Sequence, residues 1–302
     1  MAEKIIMKIG GSVITRKDKS EPTPRMDVIR RVAKEIKEAY SKKKMNLILI
    51  HGVGSYGHPI VKKHNLQKGM YTDEQKQAFT QTKQQVKMLN TIFTEVLLNE
   101  GLSIDPIDAS SSAIMEKGEL ISFSTETIEK ALESGMIPLL YGVPAHDKFL
   151  HCSILSGDRI LSYLANKFNP DIIIHATDTD GIFTDDPKKN PAAFQIKKIC
   201  GNDFTQVEKY LRGSSNTDVT GGMKNKVEEI MSLETNSEII NGLVAGNIRD
   251  ALLGKRGLGT SIEISNKVAV QIPILSSMGK RGQDKKLLVD AYLKICRFLG
   301  LK

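Results

Sequence analysis

The sequence predicts an α/β fold, a three-layer αβα sandwich with a mostly parallel central sheet. Two observations carry the expectation. Short apolar, β-rich runs alternate with longer stretches of helical periodicity, the pattern of strands joined by helical crossovers. Most of the runs are apolar at both parities, as strands covered on both faces are, instead of alternating like half-exposed ones. A third observation bears on function. Glycine-rich segments follow several runs, and in such folds ligands collect at the carboxyl ends of the strands.

The expected strands are Ile5–Ile9, Asn46–Ile50, Ser103–Ile107, Ile137–Tyr141, Asp171–Ala176, Glu238–Leu243 and Ser261–Ile264. Between the first two, Met26, Ile29, Val32, Ile36 and Tyr40 stand at near-helical spacing. Between the second and third lies a long helical stretch, Thr72–Asn99. Ala78, Thr82, Val86, Leu89, Phe93 and Val96 share one of its faces, and Gly101 marks the stop. Residues 1–265 read as one domain. The last 37 residues read as a basic helical extension, 266–302, in which Leu288, Ala291, Tyr292, Ile295 and Leu299 form an amphipathic face closed by Gly300.

Composition removes several function classes. Aromatic residues are 5% of the chain and Trp is absent, which argues against a base-stacking nucleic-acid platform. Net charge is +8 over 302 residues. Eight basic residues against two acidic ones put +6 of it in the extension, leaving +2 for the body, so the excess belongs to the tail and no nucleic-acid partner is expected. Cys152, Cys200 and Cys296 are far apart and form no C-x-x-C pair; they read as reduced thiols, not as a disulfide framework or zinc site. No signal peptide is evident, and no apolar run approaches the roughly 18–20 residues of a membrane span. The expectation is a cytoplasmic protein without a membrane partner.

Five segments carry the chemistry. Lys8-Ile9-Gly10-Gly11-Ser12, with Lys17 beyond, delivers a lysine and two glycines to the end of a strand, where backbone N–H groups can approach an anion. His51-Gly52-Val53-Gly54-Ser55-Tyr56-Gly57-His58-Pro59 follows the next strand. Its glycines match G-x-G-x-x-G, but no acidic residue closes a strand about 20 residues on. An anion cradle with His58 at its lip is the better reading, against a plain capping or packing role for that histidine. Ser156-Gly157-Asp158 opens a helix. Asp158 is either an ordinary first-turn acid or a carboxylate that orients Lys8 and a second lysine beside a phosphate site. Thr177 to Pro187, acidic and glycine-rich, lacks the glutamate that a calcium loop needs. Thr220-Gly221-Gly222-Met223-Lys224-Asn225-Lys226 again brings glycines and lysines to a helix start. Neither a G-x-x-x-x-G-K-[ST] loop nor the protein-kinase signatures occur.

In this order and spacing the five segments resemble the amino-acid kinase superfamily, over almost the whole chain from Lys8 to about Ile264. Within it, KIGGSVITRK and HGVGSYGHP are most similar to the branch acting on isopentenyl phosphate, whose loop reads HGGGSFGHP. The resemblance implies a soluble kinase that uses ATP and Mg²⁺ to convert isopentenyl phosphate, with dimethylallyl phosphate as a neighbouring acceptor, to the diphosphate. It implies catalytic roles for Lys8, His58, Asp158 and Lys226. It places ATP against Gly10, Gly11, Ser12, Lys17, Thr177, Asp178, Gly181, Phe183, Pro187, Gly222 and Lys226. The acceptor falls to Gly52, Val53, Gly54, Gly57, His58 and Gly157, with no protein ligand for the metal. An acceptor lobe of about 1–168, a nucleotide lobe of about 169–265 and a homodimer are implied as well.

Two departures stand out. Val53 replaces the middle glycine of the family loop, and Gly142-Val143-Pro144 stands where relatives often carry G-D-V. The alternatives are a fosfomycin or uridylate kinase of the same superfamily, a nucleotide-binding sensor without turnover, and nucleic-acid binding through the basic tail.

Overall fold

The computed structural model describes residues 2–16, 18–19, 21–185, 190, 192–200, 230, 233 and 235–264. The chain divides into two units, Met1–Ser265 and Asn266–Lys302; the second, with the expected tail helix, lies outside the described residues.

Among the described residues, eight strands form the central sheet: β1 (Glu3–Ile9), β2 (Met45–His51), β3 (Ile104–Pro106), β4 (Ile137–Tyr141), β5 (Ile172–Thr177), β6 (Lys198–Cys200), β7 (Ser237–Asn241) and β8 (Thr260–Glu263). Their spatial order is β6-β8-β7-β5-β1-β2-β4-β3. The six strands from β7 to β3 run parallel; β8 is antiparallel to β7 and parallel to β6. The mostly parallel sheet expected from the doubly apolar runs is present. The boundaries differ in small ways: Ser103, Asp171 and Leu243 fall outside their strands, and β6, only three residues long, was not foreseen.

Strand parity builds the two flanking layers. Ile5, Met7 and Ile9 of β1 join Met45, Leu47 and Leu49 of β2 in a core with α1 (Gly11–Ile14), α2 (Met26–Lys42), α4 (Asp73–Asn99) and α7 (Asn247–Leu252). Ile6, Ile48 and Ile50 point the other way, against α5 (Glu126–Glu133) and α6 (Gly157–Phe168). A short helix, α3 (His58–Lys63), follows the second glycine loop. Each fully buried isoleucine in these cores contributes about 1.5–3 kcal/mol.

Local signals place the long α4. Thr72 Oγ1 accepts from the Gln75 N–H at 3.2 Å while Gln75 Oε1 accepts from the Thr72 N–H at 3.2 Å, a reciprocal capping box. Ala78, Thr82, Val86, Leu89 and Phe93 are buried as the spacing predicts, and Gly101 takes φ +76° beyond the end.

Among the described residues, four two-stranded pairs lie outside the main sheet; the two longer ones are Ala113–Glu116 with Glu119–Phe123 and Val143–Ala145 with Ser153–Leu155. Asp147 ties them together. Its carboxylate accepts from the N–H groups of Lys117 (3.1 Å), Gly118 (2.8 Å), Phe149 and Leu150 (both 2.9 Å), and from the Ser153 hydroxyl. Burial alone would raise this carboxyl's pKa, but the hydrogen bonds outweigh it and hold the group well below the usual range.

Asp147→Asn is expected to lower stability by about 2 kcal/mol at neutral pH, measured by urea denaturation. Because the folded pKa lies below the unfolded one, the stabilisation is complete above about pH 4 and fades as pH falls toward the folded value. The gap between wild type and variant should therefore hold from about pH 5 to 8 and narrow below about pH 4; a constant gap down to about pH 2 would contradict the assignment.

Candidate active site

Lys8 shares the parity of Ile6, so its side chain leaves β1 toward α6. There its ammonium pairs with Asp158, in the first turn of that helix, and only 7% of Lys8 is exposed. Ser156 caps the helix by accepting from the Arg159 N–H at 3.1 Å, and the helix dipole favours a carboxylate where Asp158 stands. Gly157 is what lets the lysine lie close: a Cβ there would come within 3.2 Å of Lys8 Cε and 3.4 Å of Ile50 Cγ2.

At the carboxyl edge four strands are each followed by a glycine that completes one more ladder bond. Gly10 N–H donates to Ala176 O (2.8 Å), Gly52 to Ile9 O (2.8 Å), Gly142 to His51 O (3.3 Å) and Gly242 to Thr177 O (2.8 Å). Added side chains at Gly10, Gly142 and Gly242 would approach neighbouring atoms to 3.1–3.2 Å, and one at Gly52 would fall on the Gly11 backbone. The result is a trough of bare backbone across the sheet edge. Gly10 and Gly52 are site candidates from sequence; Gly142 figures there only within a departure from the family pattern and Gly242 not as a site residue, though a glycine directly after a strand is the available signal.

The first two loops interlock. A Cβ on Gly11 would strike Gly54 N, and one on Gly54, at φ +47°, would strike Thr15 Oγ1. Thr15 stitches the contact by donating to Gly11 O (2.7 Å) and accepting from the Ser55 N–H (3.1 Å). Val53 takes φ −94°, ψ −19°, open to any L-residue, which explains how a β-branched residue is accommodated there. It packs on Val86, Tyr141 and Val143, so the two departures from the family pattern meet in one apolar cluster. Gly57 is buried, and a Cβ there would meet Val53 Cγ2 at 2.6 Å. His58 begins α3 and is half-buried.

His51, unassigned from sequence, supports this loop from behind. Fully buried, it stacks on Tyr141 (centroids 5.5 Å) and meets Phe93 edge-on. Its Nδ1 lies 3.1 Å from Gly52 O and its Nε2 3.1 Å from the Asn90 amide. Burial pushes the imidazole's pKa down, against the raising effect of both bonds, so the ring is neutral. A neutral ring donates once, so its single proton serves either Gly52 O through Nδ1 or Asn90 Oδ1 through Nε2. Tyr141 in turn donates to Asp108; burial first, then the Asp108 charge and bond, keep the phenol protonated.

Along the other half of the edge, the loop after β5 is bound on two sides. Ser12 donates to Asp178 Oδ1 at 2.8 Å, linking the first glycine loop to it. Asn241, not foreseen, donates to Asp180 Oδ1 at 2.9 Å. Thr177 is buried, Gly181 takes φ +120° against Thr260, and Phe183 stands on a two-residue strand paired with Gln195. The structure thus brings together Lys8, Gly10, Gly11, Ser12, Gly52, Gly54, Gly157, Asp158 and Asp178. Lys17, Pro187, Gly222 and Lys226 lie outside the described residues.

The sequence profile described as "Amino acid kinase family" matches residues 3–244. An isopentenyl phosphate kinase of Methanothermobacter thermautotrophicus is 37% identical, over 85% of this chain and 98% of its own length. One of Methanocaldococcus jannaschii is 34% identical, over 86% and 98%. A solved structure of an isopentenyl phosphate kinase, 33% identical, superposes with a TM-score of 0.74 over 86% of this chain and all of its own. The chain belongs to the amino acid kinase family, and within it stands beside the isopentenyl phosphate kinases.

Proposed function

We propose that this chain transfers the γ-phosphoryl group of ATP to isopentenyl phosphate, yielding isopentenyl diphosphate and ADP. The observation that carries the reading is the backbone contact between the Gly10–Gly11 and Gly52–Gly54 loops beside buried, Asp158-paired Lys8. It gives two anions adjoining sites along one bare edge with a lysine charge between them. The acceptor side then comes from about residues 1–168 and the nucleotide side from about 169–265.

The acceptor phosphate is already an anionic nucleophile, so the reaction needs positioning and charge neutralisation more than a base. Backbone N–H groups of the Gly52–Gly57 loop and the imidazole of His58 orient the acceptor by donating to its phosphate oxygens. Lys8, steered by Asp158, places positive charge against the transferring group, with Lys17 and Lys226 as further cations. Gly10, Gly11, Ser12 and Gly222 flank the ATP phosphates, while Thr177, Asp178, Gly181, Phe183 and Pro187 border the nucleotide. Asp158, Asp178 and Asp180 are engaged by Lys8, Ser12 and Asn241. With those carboxylates so engaged, a Mg²⁺ brought in with ATP would supply charge neutralisation for its phosphates. No helix among the described residues is long and apolar enough to cross a membrane; a cytoplasmic homodimer completes the reading, and light scattering on the purified protein checks the dimer.

ADP release with Mg-ATP, measured against isopentenyl phosphate, dimethylallyl phosphate, UMP and fosfomycin, tests the whole. Turnover with the prenyl phosphates is expected; turnover with UMP or fosfomycin alone would reassign the acceptor, and none with any would overturn the kinase reading. His58→Ala should lower acceptor turnover about 10²-fold or more, as loss of a positioned donor does, with ATP affinity changed less than about twofold. Equal loss of both would make His58 a structural residue. Asp158→Asn should reduce kcat about 10- to 100-fold by releasing Lys8 while circular dichroism stays that of the wild type.

A further inference from the structure

On α2, between the first two glycine loops in sequence, Glu35 is 5% exposed and holds the segment that follows β7. Its Oε1 accepts from the Gly246 N–H at 2.8 Å, and its Oε2 from Ile248 N–H at 3.0 Å and Arg249 N–H at 3.3 Å. Arg31, one turn earlier, pairs with Glu35 Oε1 at 2.6 Å and donates to Gly242 O (2.6 Å) and Val244 O (3.3 Å). One guanidinium and one carboxylate thereby take both kinds of main-chain group from residues 242–249.

The clasped segment is joined directly to the loop assigned to the nucleotide. Asn241 donates to Asp180 Oδ1, accepts at its own Oδ1 from the Leu243 N–H at 2.9 Å, and receives Asn247 Nδ2 on its carbonyl at 3.0 Å. Gly242 N–H donates to Thr177 O. A shift of residues 242–249 away from α2 therefore pulls on both Thr177 and Asp180. The helix packs through Ile29, Val32 and Ile36 into the core, so Arg31 and Glu35 are anchored on a rigid element, where a supporting side chain is most effective.

We infer that Arg31 and Glu35 are positioning residues for ATP: the pair sets the shape of the Thr177–Gly181 loop through the 241–249 segment. The inference rests on the ATP-dependent reading above, and neither residue contacts substrate. A merely stabilising pair would lower the melting temperature and leave the Michaelis constants alone; a positioning pair changes the nucleotide constant selectively.

Glu35→Gln and the double variant Arg31→Leu/Glu35→Leu test this with the full chain. The glutamine keeps one acceptor oxygen but turns an NH₂ toward backbone donors, and leaves the Arg31 charge without its carboxylate. The leucine pair removes both charges together, which avoids a buried unpaired ion, and circular dichroism first checks that it is folded. In both, KM for ATP is expected to rise about tenfold while KM for isopentenyl phosphate stays within about twofold. Calorimetric titration with Mg-ATP alone should show the same weakening without turnover. Unchanged ATP binding in a folded double variant would overturn the inference, as would equal rises in both Michaelis constants. Wild-type protein that binds no Mg-ATP at all would instead remove the ATP reading, a result the titration distinguishes.

Discussion

Six parallel strands end at one edge of the sheet, and after β1, β2, β4 and β7 the next residue is a glycine still bonded to a neighbouring strand. The rest of the site depends on that arrangement. A parallel ladder brings its last donors and acceptors out on one side, and side chains there would fill the space that a ligand needs. Because the strands are bonded one residue past their ends, the bare segments after β1, β2 and β4 stand side by side, with that of β7 across β5, fixed by the same hydrogen bonds that hold the core.

Charge is then added sparingly. Lys8 is carried by a strand whose other inward residues are apolar, and burial of a lone ammonium would be costly. Asp158 offsets that cost, and it can do so because the α6 N-terminus stabilises a carboxylate and Gly157 allows close approach. The remaining acids of the edge are similarly engaged: Asp178 by a hydroxyl and Asp180 by an amide. Carboxylates near a polyanion would repel it if their lone pairs faced it. Here these contacts tie them into the loop architecture.

Much of this could be read before any coordinates. Both parities of β1 and β2 are apolar because both faces are covered, and the 3.6-residue face of α4 is buried as its spacing implies. The two glycine loops and Asp158 were visible as short motifs because local sequence suffices to place a turn or a helix start. What stayed hidden depends on contacts distant in sequence. Asn241 lies 61 residues from Asp180, and Glu35 lies 211 from Gly246. His51 looked like part of a motif, yet strand parity turns it inward to Asn90 and away from the trough. The edge strand β6 offers no apolar run to register, its one aliphatic side chain, Ile199, standing between Lys198 and Cys200.

The interlocking of Gly11 with Gly54 has a mechanical consequence. With backbone touching backbone and Thr15 bonded to both loops, there is no compressible side chain between them to absorb relative motion. Moving one loop against the other would break both Thr15 bonds and open that backbone contact. On the proposed reading, the spacing between the donor and acceptor phosphates follows from this non-covalent backbone contact.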